Sequence, residues 1–291
     1  MNSATRTAIL GTTIAVSIGV VLILALGRDS ETAASRNIIA AVIGLAFGIQ
    51  WMAFIPAWFK QTEHFYDLVG GSSFMAVTAF CLALGPSVDF RSITLFAMVV
   101  LWGGRLSFFL FRRVRRSGKD QRFDEIKKSF PRFLFAWTAQ GLWVAFALAP
   151  VIVALLQPTG SVDGFLFAGA AIWFFGYGFE TIADMQKTRF KKDPENEGRF
   201  IATGLWAHSR HPNYFGEITL WVGIAIIASP TLVGWQFLAL ASPLFKFALL
   251  NYVSGVPMLE KRADAKWGHL EAYQAYKDST PSLFPRLRRS R

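Results

Sequence analysis

The feature that most constrains this chain is a succession of apolar runs, each close to the length needed to cross ~30 Å of hydrocarbon as a helix. They cover Thr7–Gly27, Asn37–Phe59, Leu68–Leu84, Ile93–Phe111, Phe133–Leu156, Phe165–Ala183, Tyr214–Ile227 and Val233–Val253. A segment inside a bilayer must satisfy its own backbone N–H and C=O groups, and a helix does this within itself. The pattern therefore predicts an all-α, polytopic membrane helical bundle of about seven to eight transmembrane helices. Composition agrees: 53% of the 291 residues are hydrophobic and only 17% are charged, with a mean hydropathy of +0.37. The first run lacks a small-residue cleavage pattern at its end and is expected to be retained as a helix.

The formal charge of +11 is concentrated in the connection Arg112–Arg132, the connection Lys187–Arg210 and the tail beyond Glu260. With eight spans these regions share one face, which the positive-inside rule makes cytoplasmic. The same parity puts the amino terminus and the Gln61–Asp67 insert there. The basic runs are short loops tethered between apolar spans and carry no recognition module, so nucleic acid is not an expected partner. A single cysteine, Cys81, excludes an intramolecular disulfide and any multi-cysteine zinc site. His208 and His211 form an isolated HxxH pair without a third ligand, so no metal is expected.

The densest polar run is Gly198–Glu217, GRFIATGLWAHSRHPNYFGE, which leads directly into an apolar span. Lys191, Arg199 and Arg210 offer charge-assisted donors suited to phosphate, and Asn213 adds an amide donor and acceptor. Pro212 opens a helix start followed by Asn213 and Tyr214, with His211 just before it, a place where free backbone N–H groups favour an anion. Glu217 follows Asn213 by one turn, on the same face. No Gly-rich strand–helix turn of the Rossmann type is present, so helices and loops must build any nucleotide site.

Three other places carry intramembrane or boundary polarity. Glu180 and Asp184 lie one turn apart near the end of a span, either to bind something or to pair with Lys187 or Arg189. The insert holds Gln61, Glu63, His64, Tyr66 and Asp67, and Arg105 follows Trp102 inside an apolar run, where it requires an anionic partner. Lys246 must snorkel, pair or face a cavity. The tail is expected to be helical from Met258 to Tyr276. It would carry Lys261 or Arg262, Tyr273 and Tyr276 over a cytoplasmic cavity or lie on lipid as an amphipathic helix.

GLWAHSRHPNYFGEITLWVG, the AD.Q..RF arrangement at Ala183–Phe190 and the tail pattern W....AY..Y...TPSLFP resemble the steroid 5α-reductase superfamily, specifically its bacterial DUF1295-type members. The resemblance runs from Gln61 onward and is strongest over Glu180–Pro285. It implies an extra amino-terminal helix and connection over residues 1–36 and a steroid-reductase-like membrane domain over residues 37–291, whose 180–285 half binds cofactor. It further implies an integral protein of a bacterial inner membrane, with NADPH as cofactor on the cytoplasmic side. By motif, Asp184, Lys191, Arg199, Asn213 and Glu217 would contact NADPH, assisted by Arg105 and by Lys261 or Arg262. Glu180, Arg210, His211, Tyr214, Tyr273 and Tyr276 complete the expected cofactor region. Hydride would pass to the β carbon of an enone in a steroid or other small lipid-like substrate, while a protein donor holds the carbonyl oxygen. At the substrate end the steroid enzymes carry a Gln-Glu pair and a Tyr. This chain has Gln61 and Glu63 separated by Thr62, with Trp102 at the Tyr position, so Glu63, Tyr66 and Asp67 are the candidate donors.

Two alternatives share part of the pattern. RHPNY before an apolar span, with E......W.....Y..Y in the tail, also resembles the isoprenylcysteine and phospholipid methyltransferases, which bind S-adenosylmethionine. A non-enzymatic lipid-binding protein on the same fold is the other. The Glu180–Asp184 turn and the Gln61–Asp67 insert favour the reductase reading.

Overall fold

A computed structural model describes residues 3–117 and 123–286. Among the described residues eight helical segments are long and apolar enough to cross a membrane, and none of these residues is in a strand. The protein is an integral membrane helical bundle. The parts of the basic clusters at 118–122 and 287–291 lie outside the described residues.

The chain divides into two compact units. The first comprises Met1–Leu166 and Ile227–Ser242. It holds α1 (Ser3–Arg28), α2 (Ala33–Phe59), α3 (Tyr66–Leu84), α4 (Phe90–Ser117) and α5 (Phe130–Leu156). Of the most apolar stretch of α5, 83% is buried, against 22–56% in the other spans, so α5 is the helix around which this unit packs. Lipid tails are as apolar as leucine, so helices in a membrane associate through close packing and polar links. Both are present: Phe47 lies against Gly19 and Gly141, where an added Cβ would come within 3.0 Å of its ring. Gln50 Nε2 donates to Ser73 Oγ at 2.7 Å and Trp51 Nε1 to Thr138 Oγ1 at 3.1 Å. The fully buried Arg91 pairs with Asp163 at 2.7 Å and donates to the Ile227 carbonyl, tying the start of α4 to two later segments.

The second unit comprises Phe167–Ile226 and Pro243–Arg291. It contains most of α6 (Gly164–Lys192) and α7 (Pro212–Ala228), then α8 (Ser242–Ala248), α9 (Val256–Trp267) and α10 (Glu271–Ser279). Helices α6 and α7 touch backbone to backbone through glycines. A Cβ at Gly216 would lie 2.5 Å from the Glu180 nitrogen, one at Gly176 2.5 Å from the Leu220 nitrogen, and one at Gly223 2.6 Å from the Gly169 carbonyl. This crossing brings Glu217 of α7 beside Glu180 of α6.

Two expectations are corrected here. The last span is not one regular helix: a 3-10 segment Gly234–Ala241 leads into α8, then a π turn over Leu249–Val253, and α9 follows after Gly255. Pro243 and Pro257 carry no N–H, which favours helix starts over helix interiors at those positions. The tail expected as one helix over Met258–Tyr276 is broken between α9 and α10, where Gly268 caps the first and Leu270 is extended. The break lets the tail fold back on itself.

Candidate functional site

The polar run singled out in the sequence is a structured platform in the second unit. Gly198 and Gly204 hold left-handed backbone, with φ of 76° and 60°, and a short 3-10 turn, Gly204–Ala207, leads to His208. The tail is strapped to this turn by backbone pairing. Arg210 N donates to the Pro281 carbonyl at 2.9 Å, His211 N to that of Ser282 at 3.0 Å, and Arg286 N to that of His208 at 3.0 Å. Tyr276 Oη donates to the Trp206 carbonyl at 2.7 Å.

Arg210, expected as a phosphate donor, is largely committed to this strap. Its Nε pairs with Glu260 at 2.8 Å, and its Nη1 donates to the Lys277 and Thr280 carbonyls, both at 2.7 Å, at the end of α10 where the helix dipole favours a cation. Tyr273 is buried and donates to Asp264 Oδ1 at 3.1 Å, and Lys277 pairs with the same carboxylate at 2.7 Å. Glu260 and Asp264 are thus the acidic partners that fold α9 and α10 together, and neither stood out in the sequence. Lys261 and Arg262 are exposed.

His211 is buried, with Nε2 3.3 Å from Glu260 Oε1 and its ring stacked on Tyr214 at 5.7 Å between centroids. Burial pushes its pKa below the ordinary 6.5, outweighing Glu260, so the imidazole is neutral at pH 7. Its Nδ1, together with Thr280 Oγ1 and Ser282 Oγ, is buried without a hydrogen-bond partner among the described residues. Unsatisfied buried polar atoms are costly, and three on one strap mark a place where a ligand or water belongs. Asn213 is half-buried on the first turn of α7, and Lys191 and Arg199 are exposed at the edge of the platform.

Deeper in the same unit, Glu217 Oε1 accepts from Lys246 Nζ at 2.7 Å, with the lysine side chain 1% exposed. That ammonium also sits 4.5 Å from the Trp221 ring centroid. Of the outcomes open to Lys246, pairing is the one realised. Glu180 and Asp184 are both buried one turn apart. Lys187 lies over the Trp206 ring at 4.3 Å, and Trp206 Nε1 donates to the Ala183 carbonyl at 3.0 Å, which joins the foot of α6 to the platform.

The substrate-end candidates belong to the first unit. Gln61 is exposed, holds a left-handed φ of 49° and donates from Nε2 to the Trp58 carbonyl at 2.8 Å. That rare conformation for a non-glycine residue reverses the chain after α2 and turns the next residues inward. Glu63 is buried and pairs with Lys127 at 2.6 Å, a partner 64 residues away that the sequence did not indicate. Tyr66 Oη donates to the Ala136 carbonyl at 2.9 Å, and its ring packs edge-on to Trp137. Asp67 lies in the first turn of α3, where the dipole favours a carboxylate. Trp102 is fully buried edge-on to Phe74 at 5.0 Å, and Arg105 follows it on α4, half-buried. Among the described residues no three His, Cys, Asp or Glu side chains converge as a metal site requires.

Comparison with known proteins places this arrangement. The profile of the family described as "Protein of unknown function (DUF1295)" matches residues 53–280, which begins within α2 and ends on the strap. The chain belongs to the DUF1295 family. A DUF1295 chain is also similar to the uncharacterized protein C594.04c of Schizosaccharomyces pombe, 26% identical over 247 residues that cover 72% of this chain and 70% of the relative. No solved structure matches it.

Proposed function

We propose that this DUF1295 protein is an NADPH-dependent membrane reductase acting on the C=C bond of an enone in a steroid or other lipid-like substrate, with its cofactor site facing the cytoplasm of a bacterial inner membrane. One observation carries the reading. The three segments whose motifs resemble the steroid 5α-reductases, Ala183–Phe190, Gly204–Gly223 and Trp267–Pro285, join into a single platform.

The donor set fits a dinucleotide phosphate. Lys191 and Arg199, exposed at the platform edge, hold its phosphates, and the Asn213 amide binds its polar groups in both senses. Glu217, fixed by Lys246 through one oxygen, keeps its other oxygen as an acceptor. Neutral His211 contributes Nδ1. NADPH, when bound, supplies the hydride. At the substrate end Glu63 and Asp67 could hold a carbonyl oxygen only as protonated carboxyls, and Tyr66 only by giving up the Ala136 carbonyl, as negative charge builds on that oxygen; Trp102 offers an indole N–H in place of a phenol. Arg210 fastens the tail to the platform.

Thermal unfolding of the detergent-solubilised protein with NADPH, NADH or S-adenosylmethionine tests this. A ligand at about 100 times its Kd stabilises the folded state by about 2.7 kcal/mol. NADPH is expected to raise Tm and S-adenosylmethionine to leave it unchanged; the reverse result would replace the reductase with a methyltransferase.

A further inference from the structure

A partly polar cavity lies on the face of α6 turned away from Glu180 and Asp184. At 3.6 residues per turn, Glu180, Asp184, Lys187 and Lys191 share one face, whereas Gln186 and Arg189 fall on the opposite one, with Asp193 just past the end of the helix. These three, with Thr203, Phe190 and Ile201, line a cavity of about 350 Å³ between the end of α6 and the loop before Gly204. That is the lower end of the range for small-molecule sites.

Its chemistry is two-signed. Arg189 forms no ion pair with Asp193, and neither Arg189 nor Thr203 has a hydrogen-bond partner among the described residues. Gln186 is oriented by accepting the Leu205 N–H through Oε1 at 2.9 Å, which leaves its amide donors for the cavity. The Gly204 Cα lies against this carboxamide, and a Cβ there would stand 2.7 Å from it. Asp193 is fixed in turn by the Glu195 N–H at 3.0 Å and by Asn196 Nδ2 at 3.3 Å, with further acceptor capacity remaining. The cavity therefore presents a guanidinium, an amide and a hydroxyl as donors, with one immobilised carboxylate beside them.

The cavity also sits at the foot of a lipid-exposed stripe. Phe175, Ile182 and Arg189 are spaced seven residues apart, two helical turns and about 10 Å each. Phe175 and Ile182 are 57% and 45% exposed, and Phe167, Phe174 and Met185 flank them on the same side. Five exposed apolar side chains leading into one polar cavity match the layout of a phospholipid, with acyl chains along the helix and a headgroup at its end.

We propose that this face of α6 binds a phospholipid with a primary ammonium headgroup, of the phosphatidylethanolamine type. Arg189, Gln186 and Thr203 take the phosphodiester oxygens, and Asp193 accepts N–H bonds from the ammonium. A trimethylammonium headgroup has no N–H to give Asp193, and a glycerol headgroup has no positive charge, so the same carboxylate sets the preference. The site uses none of the residues assigned to NADPH.

The test is native mass spectrometry of the full, delipidated protein titrated with dioleoyl phosphatidylethanolamine, phosphatidylcholine and phosphatidylglycerol. Wild type is expected to bind phosphatidylethanolamine about tenfold more tightly than the other two, the worth of one charge-assisted hydrogen bond. Arg189→Ala should weaken all three lipids about tenfold, with Arg189→Lys recovering part of the loss. Asp193→Asn should remove the preference and leave phosphatidylglycerol binding unchanged. Both residues are exposed, so circular dichroism should be unaltered. Equal binding of the three lipids by wild type, or an intact preference in Asp193→Asn, would overturn the proposal. Since no nucleotide is added, a failure here leaves the reductase reading standing, and a failure of NADPH binding leaves this site standing.

Discussion

Two lysine–glutamate pairs of nearly equal length, one in each unit, differ in which partner meets water. In Glu63–Lys127, at 2.6 Å, the carboxylate side chain is wholly buried and the lysine is 22% exposed; in Lys246–Glu217, at 2.7 Å, the lysine is 1% exposed and the carboxylate 10%. Lys127 can be solvated if its partner is changed. Lys246 lies within a span, paired with Glu217 and set against the Trp221 face. The same chemical pair therefore keeps one partner in water at the Gln61–Asp67 insert and forms a buried anchor on the α7 face, where it orients one oxygen of Glu217.

The largest effect should come from breaking the anchor. Lys246→Met leaves the Glu217 charge buried and unpaired, with an expected loss of about 3–5 kcal/mol in reversible unfolding, and adding Glu217→Leu should restore most of it. A single variant as stable as wild type would show that the pair is not ionised.

Next comes the half-solvated pair. Glu63→Gln keeps the shape but removes the carboxyl, so enone turnover should fall by about a hundredfold or more, with NADPH affinity nearly unchanged. Equal loss of both would move Glu63 out of the chemistry, and an unchanged rate would shift the role to Tyr66 or Asp67.

A smaller change is expected at the strap. Arg210→Ala removes the Glu260 pair and two carbonyl bonds, at a cost of about 1.5–3 kcal/mol. Hydrogen exchange should accelerate over α10 and residues 281–286 while α5 stays protected.

The smallest is a pH slope. The pKa of His211 is lowered on folding, so its contribution is present above the unfolded value of about 6.5 and is lost as pH falls through the folded value. Strap protection should weaken on acidification below about 6.5, and His211→Gln should flatten that dependence.

The eight spans were readable because apolar run length alone decides whether a helix can cross a bilayer. The need of Lys246 for a partner was readable for the same reason, since an intramembrane cation cannot stand alone. Its identity was not, because Glu217 is 29 residues away and the α6–α7 crossing at Gly216 sets the register. Lys127, Glu260 and Asp264 were missed because each sits in an ordinary charged surface sequence and gains its role only through long-range folding. The tail was overextended because Lys, Glu, Ala and Tyr keep helical character on both sides of Gly268, and the pairing of residues 281–286 with the platform leaves no local signature. The strap role of Arg210 has no local signature either, because its carbonyl partners are supplied by the end of α10.

The central claim is that the platform around Asn213 holds NADPH. Fluorescence titration of NADPH into purified wild type and Asn213→Ala tests it most directly. Saturable binding by wild type, weakened about tenfold or more in the variant with helix content unchanged, is the predicted result. Equal affinity in the two proteins, or no saturable NADPH binding by wild type, would contradict the account.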